Sequence, residues 1–339
     1  MGEVTASVLS RRGVLALGIG ALVVAAVPLA ASRNGRRLVR RRIPVMGTIA
    51  EVVVVTETAA GDDGVRRAHA AIDAAFADLR LVEATMTSFS PDSDVGRANL
   101  GAARDGVVVG VETAFVVAEA LRWADASEGA FDPCLGAASK VWDVQHRHEP
   151  PDESLFRRFA GRRLHRAVDV STFRGERAIR FADPDVRIDL GGIAKGYAVD
   201  RAAGILRQHG FHDGLVNVGG DLVALGTNAA DEPWKVGIQS PDAPGDANAM
   251  IGEIDASDTA IATSGDYVRF FQWHGRRYHH LLDPTTGAPR VTSEHSLTIQ
   301  APTCMQADAA ATALYGAPPA DAPRVLAARA PGARLVLAV

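Results

Sequence analysis

Residues 186–202, VRIDLGGIAKGYAVDRA, place groups that could bind an anion close together in the chain. An apolar run ends at Asp189, Gly191 and Gly192 follow, and Lys195 then leads into a helical pattern. Paired glycines permit close backbone approach to a ligand or a positive φ, and the free N–H groups at a helix start attract phosphate. The string matches neither a dinucleotide-binding fingerprint nor a P-loop. It predicts a phosphate cradle, with a purely structural glycine turn as the alternative.

A second group of candidate residues lies near the C-terminus, in QADAAATAL. Asp308 and Thr312 are four residues apart, which puts a carboxylate and a hydroxyl on one face of a helix. Hard oxygen ligands suit Mg²⁺, which commonly takes one or two protein groups together with water and substrate phosphates. An ordinary polar stripe on an alanine-rich helix is the alternative.

A third group lies in YHHLLDPTTG, residues 278–287, where an apolar strand ends at Asp283 and a turn closes on Gly287. Alternation along a strand points His279 and His280 to opposite faces, so that one of them can face a site. No convincing Ser, Cys or Thr nucleophile completes a catalytic triad with these residues. The histidines and the two cysteines also lack the spacing of a zinc site.

The elements that must position these residues follow from periodicity and turn chemistry. Apolar residues spaced three or four apart predict helices, and β-branched or alternating runs predict strands. Helices are predicted at 62–85, 111–126, 193–209 and 304–315. Strands are predicted at 48–56, 186–190, 214–218, 221–225, 234–239, 251–255, 259–263, 278–282 and 295–300. Loops are predicted at 86–99 and 241–248, and the pattern as a whole indicates an α+β fold with a largely antiparallel sheet and packed helices.

The N-terminus has the features of an export signal. Arg11 and Arg12 precede an uncharged run over residues 13–32, and a cluster of arginines ends at Arg42. This pattern is typical of a twin-arginine signal peptide, and the run also approaches the length needed for a membrane anchor. Residues 1–42 are therefore predicted to be a cleaved signal or a retained anchor that associates with the membrane through 13–32. A single catalytic domain is predicted over 43–339, exported to the cell envelope.

Charge and cysteine content limit the functional classes. Residues 1–42 carry about +7, which leaves about −11 for the remainder of a chain whose total is −4. A domain this acidic is a poor general binder of nucleic acid, so no nucleic-acid partner is expected. Cys134 and Cys304 do not form a disulfide scaffold, although a single bridge is possible outside the cytoplasm.

Seven motifs, in order, resemble the ApbE family of FAD:protein FMN transferases, over residues 43–316. They are VMGT, SFSPDSDVGRAN, GAFDP, DLGGIAKGYAVDRA, VNVGGD, ATSGDY with YHHLLDPTTG, and APTCMQADAAATAL. The resemblance implies an ApbE-like, T-fold-related domain that binds FAD and Mg²⁺. It also implies transfer of the FMN half of FAD to a Thr or Ser of an acceptor protein, with release of AMP.

The resemblance also assigns site residues in this chain. It implies FAD contacts at Met46, Phe89, Ala130, Phe131, Asp132, Asp189, Lys195 and Leu282. It implies metal ligation by the side chains of Asp308 and Thr312 and by backbone oxygens at Gly192 and Ala311. His280 is the candidate base for the incoming hydroxyl, Asp283 is expected to orient it or replace it, and Lys195 is expected to add positive charge at the diphosphate.

Three positions depart from relatives of the family. Ala311 stands where some relatives carry an aspartate, Lys195 where some carry a glutamate, and Phe89 where others have a tyrosine. Lys195 is therefore the catalytic candidate least expected to be essential. A metal-dependent FAD diphosphatase that uses water as nucleophile and a non-enzymatic flavin-binding protein remain the alternative functions.

Overall fold

The described part of the chain comprises residues 22–24, 35–173, 175–243, 246 and 249–339 of a computed structural model. The predicted leader at 13–32 lies outside these residues except for 22–24, which form a short extended strand. Among the described residues, no helix combines the length and the apolar character needed to cross a membrane. Export or anchoring through the N-terminus stays a prediction.

The described residues form short and long elements of both types. The strands are β1 (Leu22–Val24), β2 (Arg36–Val45), β3 (Thr48–Glu57), β4 (Val107–Val108), β5 (Val168–Phe173), β6 (Glu176–Phe181), β7 (Gly214–Val218), β8 (Asp221–Leu225), β9 (Trp234–Gln239), β10 (Met250–Ala256), β11 (Thr259–Gly265), β12 (Phe270–Trp273), β13 (Arg276–His279), β14 (Leu282–Asp283), β15 (Ala288–Pro289), β16 (Ser296–Ala301) and β17 (Arg334–Ala338). The helices are α1 (Gly61–Met86), α2 (Asp94–Gly101), α3 (Val111–Ala126), α4 (Gly136–Trp142), α5 (Glu153–Arg157), α6 (Ala194–Gln208), α7 (Cys304–Leu314) and α8 (Asp321–Arg329).

The central layer is an antiparallel sheet whose strand order, within the described residues, is β17-β16-β11-β8-β7-β3-β2. All of its neighbouring strands are antiparallel. Two further sheets have the orders β1-β9-β10 and β4-β6-β5. The predicted α+β class with a largely antiparallel sheet is confirmed.

Strand β3 shows how the layers are separated. Val52 and Val54 join a core cluster with α1 and α6, whereas Val53 and Val55 join a second cluster that contains Trp234 of β9. Successive side chains of a strand point to opposite faces of the sheet. The sheet is therefore covered by helices on one face and by the β1-β9-β10 sheet on the other, which explains why residues 52–55 of β3 are all valines.

Strand β2 extends across residue 43, where the sequence analysis predicts the start of the catalytic domain. Its register with β3 runs from Arg36 opposite Glu57 to Val45 opposite Thr48. The arginines of this strand thus lie in the main sheet, where four of them pair with acidic side chains. The pairs are Arg36 with Asp213 and Asp231, Arg40 and Arg42 with Glu51, and Arg41 with Asp73.

Two predicted strands are corrected. Residues 186–190 alternate between buried and partly exposed as a strand would, yet their only ladder contact among the described residues is an isolated parallel bridge between Arg187 and Leu135. On the other side, the Asn99 side-chain amide binds the segment. It accepts from Ile188 N at 2.6 Å and donates to Ile188 O at 2.9 Å. The strand predicted at 278–282 is interrupted, because β13 ends at His279 and β14 begins at Leu282.

The loop predicted at 86–99 is also corrected, because its second half is the start of helix α2. The Ser93 hydroxyl accepts the Gly96 N–H at 2.8 Å, which is the hydrogen bond of an N-cap. Asp94 then bonds to Gly110 N and to the Thr113 hydroxyl at 2.8 and 2.7 Å. These bonds fix the segment that the polar composition had suggested was irregular.

Helices α6 and α7 pack closely at Gly196. A Cβ built there would lie 2.3 Å from Cys304 O and 2.8 Å from Met305 Cα, both backbone atoms. Only glycine allows this approach without displacement of the helices. The contact sets the spacing between the two helices that carry Lys195 and Asp308.

We expect Gly196→Ala to lower the free energy of unfolding by about 1–3 kcal/mol, because the added methyl group overpacks a backbone contact. Gly204→Ala on the same helix is the matched control, since a Cβ there meets nothing within 4 Å. It should raise stability by up to ~1 kcal/mol through helix propensity. Urea unfolding of both variants measures the difference, and equal effects at the two positions would contradict the interpretation.

Candidate functional site

A group of three charged side chains lies where α6, α7 and β8 meet. Lys195 Nζ is hydrogen bonded to Asp221 Oδ2 and lies 3.4 Å from Asp308 Oδ1. Asp308 Oδ2 accepts the Gly196 N–H at 3.0 Å. The structure thus brings together two candidates, Lys195 and Asp308, that are 113 residues apart in the sequence.

Asp221 is not among the site residues that the sequence analysis predicts. It is the first residue of β8 and directly follows the Gly219-Gly220 turn. Its side chain is only 3% exposed, and its ion pair with Lys195 is its strongest interaction with a cation. One signal could have identified Asp221: it is a buried residue that directly follows two glycines in the VNVGGD motif of the family.

The electrostatics of this charged trio keep the lysine protonated. Burial alone would lower the pKa of Lys195, but the charges of Asp221 and Asp308 outweigh it and raise that pKa. Burial and the charge of Asp308 raise the pKa of Asp221, and the Lys195 ammonium opposes that rise. Lys195 therefore compensates carboxylate charge in the free protein.

Thr312 and Gly192 lie side by side, as the predicted metal site requires. A Cβ added at Gly192 would meet Thr312 Oγ1 at 2.8 Å and the Phe131 ring at 3.0 Å. The Thr312 hydroxyl also lies 3.4 Å from the Ser264 hydroxyl. Because the Gly196 N–H is bonded to Asp308, it does not close a first helical turn onto the Gly192 carbonyl.

These oxygens fit a magnesium ion that is shared with a bound diphosphate. Asp308 and Thr312 supply a carboxylate and a hydroxyl from one helix face, and Gly192 lies beside Thr312. No group of three His, Cys, Asp or Glu side chains is arranged to hold a metal within the described ranges. Magnesium commonly uses only one or two carboxylates and completes its shell with water and substrate phosphates.

The fourth predicted metal ligand, the carbonyl of Ala311, is already engaged. Ala311 O accepts the Tyr315 N–H at 3.1 Å at the end of α7. Helical carbonyls point along the axis toward the C-terminus, whereas the side chains of Asp308 and Thr312 point sideways. One lone pair of the Ala311 oxygen is thus used by the helix, and metal ligation by this carbonyl stays a prediction.

His280 lies in the break between β13 and β14. Its backbone N–H donates to Arg269 O at 3.2 Å, and its Nδ1 is enclosed without a hydrogen-bond partner among the described residues. Burial, and next the positive charge of Arg269, lower the pKa of His280 to about 3. The imidazole is therefore neutral at physiological pH and able to accept a proton.

Arg269 is a further cation that the sequence analysis did not identify. Its Nη2 would lie 3.3 Å from a Cβ at Gly47, in the turn that joins β2 to β3. Met46 and Gly47 both have positive φ, 53° and 68°, as a two-residue hairpin turn of type I′ requires. The predicted FAD contact Met46 thus belongs to a turn that reaches the Arg269 side chain.

Asp283 stabilises the turn that follows His280. Its Oδ1 accepts from Thr285 N at 2.8 Å and from the Thr285 hydroxyl at 2.6 Å, and its backbone oxygen closes the turn at Gly287. These bonds stabilise the turn that the sequence predicted. No hydrogen bond joins Asp283 to His280 among the described residues, and a catalytic role of Asp283 stays a prediction. Leu282 packs at the edge of the core beside this turn.

The segment with Ala130, Phe131 and Asp132 approaches the site through Phe131, whose ring lies against Gly192. Asp132 is enclosed, with a side chain only 1% exposed and a 3.0 Å contact to His165 Nδ1. Its other oxygen accepts the Cys134 N–H at 2.9 Å. Asp132 shapes this segment and has no free carboxylate surface for a direct FAD contact.

The remaining two FAD candidates differ in their placement. Asp189 Oδ1 accepts the Gly191 N–H at 2.9 Å, so it holds the turn that precedes α6. Phe89 is 91% exposed and is not brought to the other candidates. Asp189 is thus positioned beside the site as a turn residue, and an FAD contact by Phe89 stays a prediction.

Comparisons with known proteins agree with this arrangement. The model of the ApbE family matches residues 46–337. An FAD:protein FMN transferase of Treponema pallidum is 34% identical over 300 residues, which cover 84% of this chain and 81% of the relative. One of Haemophilus influenzae is 30% identical over 302 residues, covering 86% and 84%.

Solved structures are similar over the same length. The structure of the flavin transferase ApbE from Vibrio cholerae superposes with a TM-score of 0.75 at 27% identity, covering 89% of this chain and 94% of that one. The ApbE protein of Thermotoga maritima gives a TM-score of 0.73 at 26% identity, covering 88% and 96%. The similarity therefore includes all the elements that form the site.

We expect the His280 imidazole to stay neutral from pH 8 down to pH 5, because its pKa is lowered to about 3. NMR titration of labelled histidines, with His280→Gln to assign the signal, measures this. Arg269→Met should raise the pKa of His280, since the arginine charge disfavours the imidazolium. A midpoint near 6.5 in the unsubstituted protein would contradict the described burial.

Proposed function

The chain belongs to the ApbE family, and we propose that it is an FAD:protein FMN transferase that uses Mg²⁺, modifies a Thr or Ser hydroxyl and releases AMP. Two relatives named as FAD:protein FMN transferases match more than four fifths of its length. The observation that carries the proposal is the meeting of Asp308, Thr312 and Gly192 at the contact of α6 with α7. Carboxylate, hydroxyl and carbonyl oxygens there are suited to Mg²⁺ at a diphosphate.

The proposed reaction breaks the phosphoanhydride bond of the FAD diphosphate and forms a phosphoester bond to the acceptor. The acceptor hydroxyl oxygen bonds to the FMN phosphorus, the bond from that phosphorus to the bridging oxygen breaks, and AMP leaves with that oxygen. Magnesium, held by Asp308, Thr312 and the Gly192 carbonyl, would act as a Lewis acid toward the phosphoryl oxygens. Lys195 and Arg269 add positive charge where the anionic diphosphate is expected.

His280 is the proposed acceptor of the hydroxyl proton. Its imidazole is neutral, and its enclosed Nδ1 has no partner among the described residues. In the free protein its pKa of about 3 makes it a weak base. A diphosphate bound beside Arg269 and Lys195 would offset their charge and raise that pKa, so that substrate binding itself would activate the base.

Export remains part of the proposal. The pair Arg11-Arg12 and the apolar run over 13–32 support passage by the twin-arginine route to the cell envelope. Arg36, Arg40, Arg41 and Arg42 lie in strand β2 and are bound to acidic side chains. Their positive charge is therefore explained by the sheet.

Asp308→Ala should abolish Mg²⁺-dependent transfer, because it removes the only carboxylate proposed to bind the ion. The fold should persist, since Lys195 keeps its pair with Asp221. Acceptor labelling and AMP release are measured with and without Mg²⁺, and circular dichroism checks the fold. Asp78→Asn, which changes a carboxylate bound to Arg201 on the other side of α6, is the control. Undiminished transfer by Asp308→Ala would rule out the metal assignment.

His280→Ala should slow transfer by ~10²–10⁴ while the affinity for FAD changes little, as expected for a general base. Single-turnover transfer gives the rate, and flavin fluorescence gives the dissociation constant of FAD. Equal losses in both quantities would make His280 a binding residue instead.

The nucleophile is tested with candidate acceptors, FAD and Mg²⁺, followed by mass spectrometry. We expect Thr or Ser to gain the mass of FMN less water. AMP released at the same rate without any acceptor would identify an FAD diphosphatase. FAD that remains intact in both reactions would identify a flavin-binding protein without catalytic activity.

A further inference from the structure

We propose that Asp200 and Arg290 are positioning residues that hold the two ends of α7 and thereby fix the proposed Mg²⁺ ligands against the flavin-contacting segments. This inference rests on the proposed function, because the ligands in question are Asp308 and Thr312. The two positioning residues come from different parts of the chain. Neither belongs to the set of site residues derived from the sequence.

Asp200 holds the N-terminus of α7. Its two carboxylate oxygens accept the N–H groups of Cys304 and Met305 at 2.7 and 2.9 Å. The first N–H groups of a helix have no partner within the helix, and a carboxylate there also interacts favourably with the helix dipole. Thr303 caps the same turn through Gln306 N. Asp200 lies on α6, so this bond joins the helix of Lys195 to the helix of Asp308.

The ionised form of Asp200 is held by its partners. Burial raises the pKa of Asp200 to about 6, and the two backbone N–H bonds and the charge of Arg207 oppose that rise. Asp200 is therefore mainly ionised at neutral pH, as two accepted N–H bonds require.

Arg290 holds the C-terminus of α7. Its guanidinium donates to Tyr315 O, at the end of the helix, and to Ala130 O. Its Nε donates to Leu282 O at 3.2 Å. A cation at the last carbonyl of a helix complements the dipole. The same side chain thus links the metal-ligand helix to Ala130 and Leu282, the backbone of two predicted FAD contacts.

Arg290 is a charged side chain that is held by backbone carbonyls. It takes part in none of the ion pairs found among the described residues, and its side-chain donors are used by carbonyls from three separate segments. Burial lowers the pKa of Arg290 to about 10, which still leaves it charged. Guanidinium is the side chain whose planar fork of donors can satisfy three carbonyls at once.

The geometry explains why these contacts matter for binding. Asp308 follows Cys304 by four residues, and Thr312 precedes Tyr315 by three, so each clamped end is about one turn from a proposed ligand. A rotation or slide of α7 would move both ligand oxygens relative to Gly192 and Phe131. Residues that orient metal ligands typically change metal affinity by about 10–100-fold when they are replaced.

The test uses the full chain. The probe is Mg²⁺ alone, and its binding is measured by calorimetry in the absence of FAD. We expect Asp200→Asn and Arg290→Gln each to weaken Mg²⁺ binding about tenfold or more. In the metal-free protein, hydrogen exchange of the α7 amides should become faster in both variants. Arg290→Lys keeps the positive charge but loses the planar set of guanidinium donors. Its Mg²⁺ affinity should lie between that of Arg290→Gln and that of the unsubstituted protein.

Asp78→Asn is the matched control for these variants. Asp78 is a buried carboxylate that also accepts two N–H groups, those of Arg201 on α6 at 2.8 and 2.5 Å, but it joins α6 to α1. It should lower stability, as judged by urea unfolding, and leave Mg²⁺ affinity unchanged. Unchanged Mg²⁺ affinity in the Asp200 and Arg290 variants would overturn the positioning role.

The failure of the proposed function gives a different result. If the unsubstituted protein binds no Mg²⁺, or if Asp308→Ala binds it equally well, then the metal site itself is wrong and the positioning role falls with it. If Asp308→Ala alone loses binding, the metal site stands and the positioning role fails. If Asp200→Asn does not fold, the hydrogen exchange of the α7 amides and the Mg²⁺ affinity of Arg290→Lys decide the outcome.

Discussion

The buried charge balance around Lys195 is the interaction on which the site depends. One ammonium lies between Asp221 and Asp308, whose side chains are 3% and 4% exposed. An unpaired buried charge is costly, so each member of this trio is held by the others. With both carboxylates ionised, the trio carries a net charge of −1, and a divalent cation would reverse that sign. In the proposed function this reversal would favour an anionic diphosphate at the site.

This balance can form because the fold lets three backbone segments approach closely. The missing side chain at Gly196 brings α6 within reach of Cys304 on α7, and the missing side chain at Gly192 makes room for Thr312. The antiparallel sheet beneath them supplies Asp221 at the first position of β8. Helix, turn and sheet therefore contribute one residue each, and no single segment contains the site.

Much of the fold followed from periodicity, and the errors have physical causes. Helices α1, α3, α6 and α7 and strands β7, β8 and β9 agree with the predictions to within one or two residues, because their patterns are long or clearly bounded. Residues 186–190 alternate like a strand, but alternation reports burial and does not report the partners, which are the Asn99 side chain and an isolated bridge to Leu135. Arg36, Arg40, Arg41 and Arg42 were predicted to follow a leader because sequence shows their charge and does not show which acidic residues they contact.

The same distinction applies to the site. The spacing of Asp308 and Thr312 was visible because a helix places residues i and i+4 together. The contacts of Asp221, Arg269, Asp200 and Arg290 join distant segments, so spacing could not reveal them. Asp283 illustrates the same limit, since the sequence places a carboxylate near His280 but does not show that its own turn uses it. The pKa of His280 is lowered by burial and by the charge of Arg269. In the proposed function, a bound diphosphate would offset the charge of Arg269 and so remove one of the two causes that make His280 a weak base.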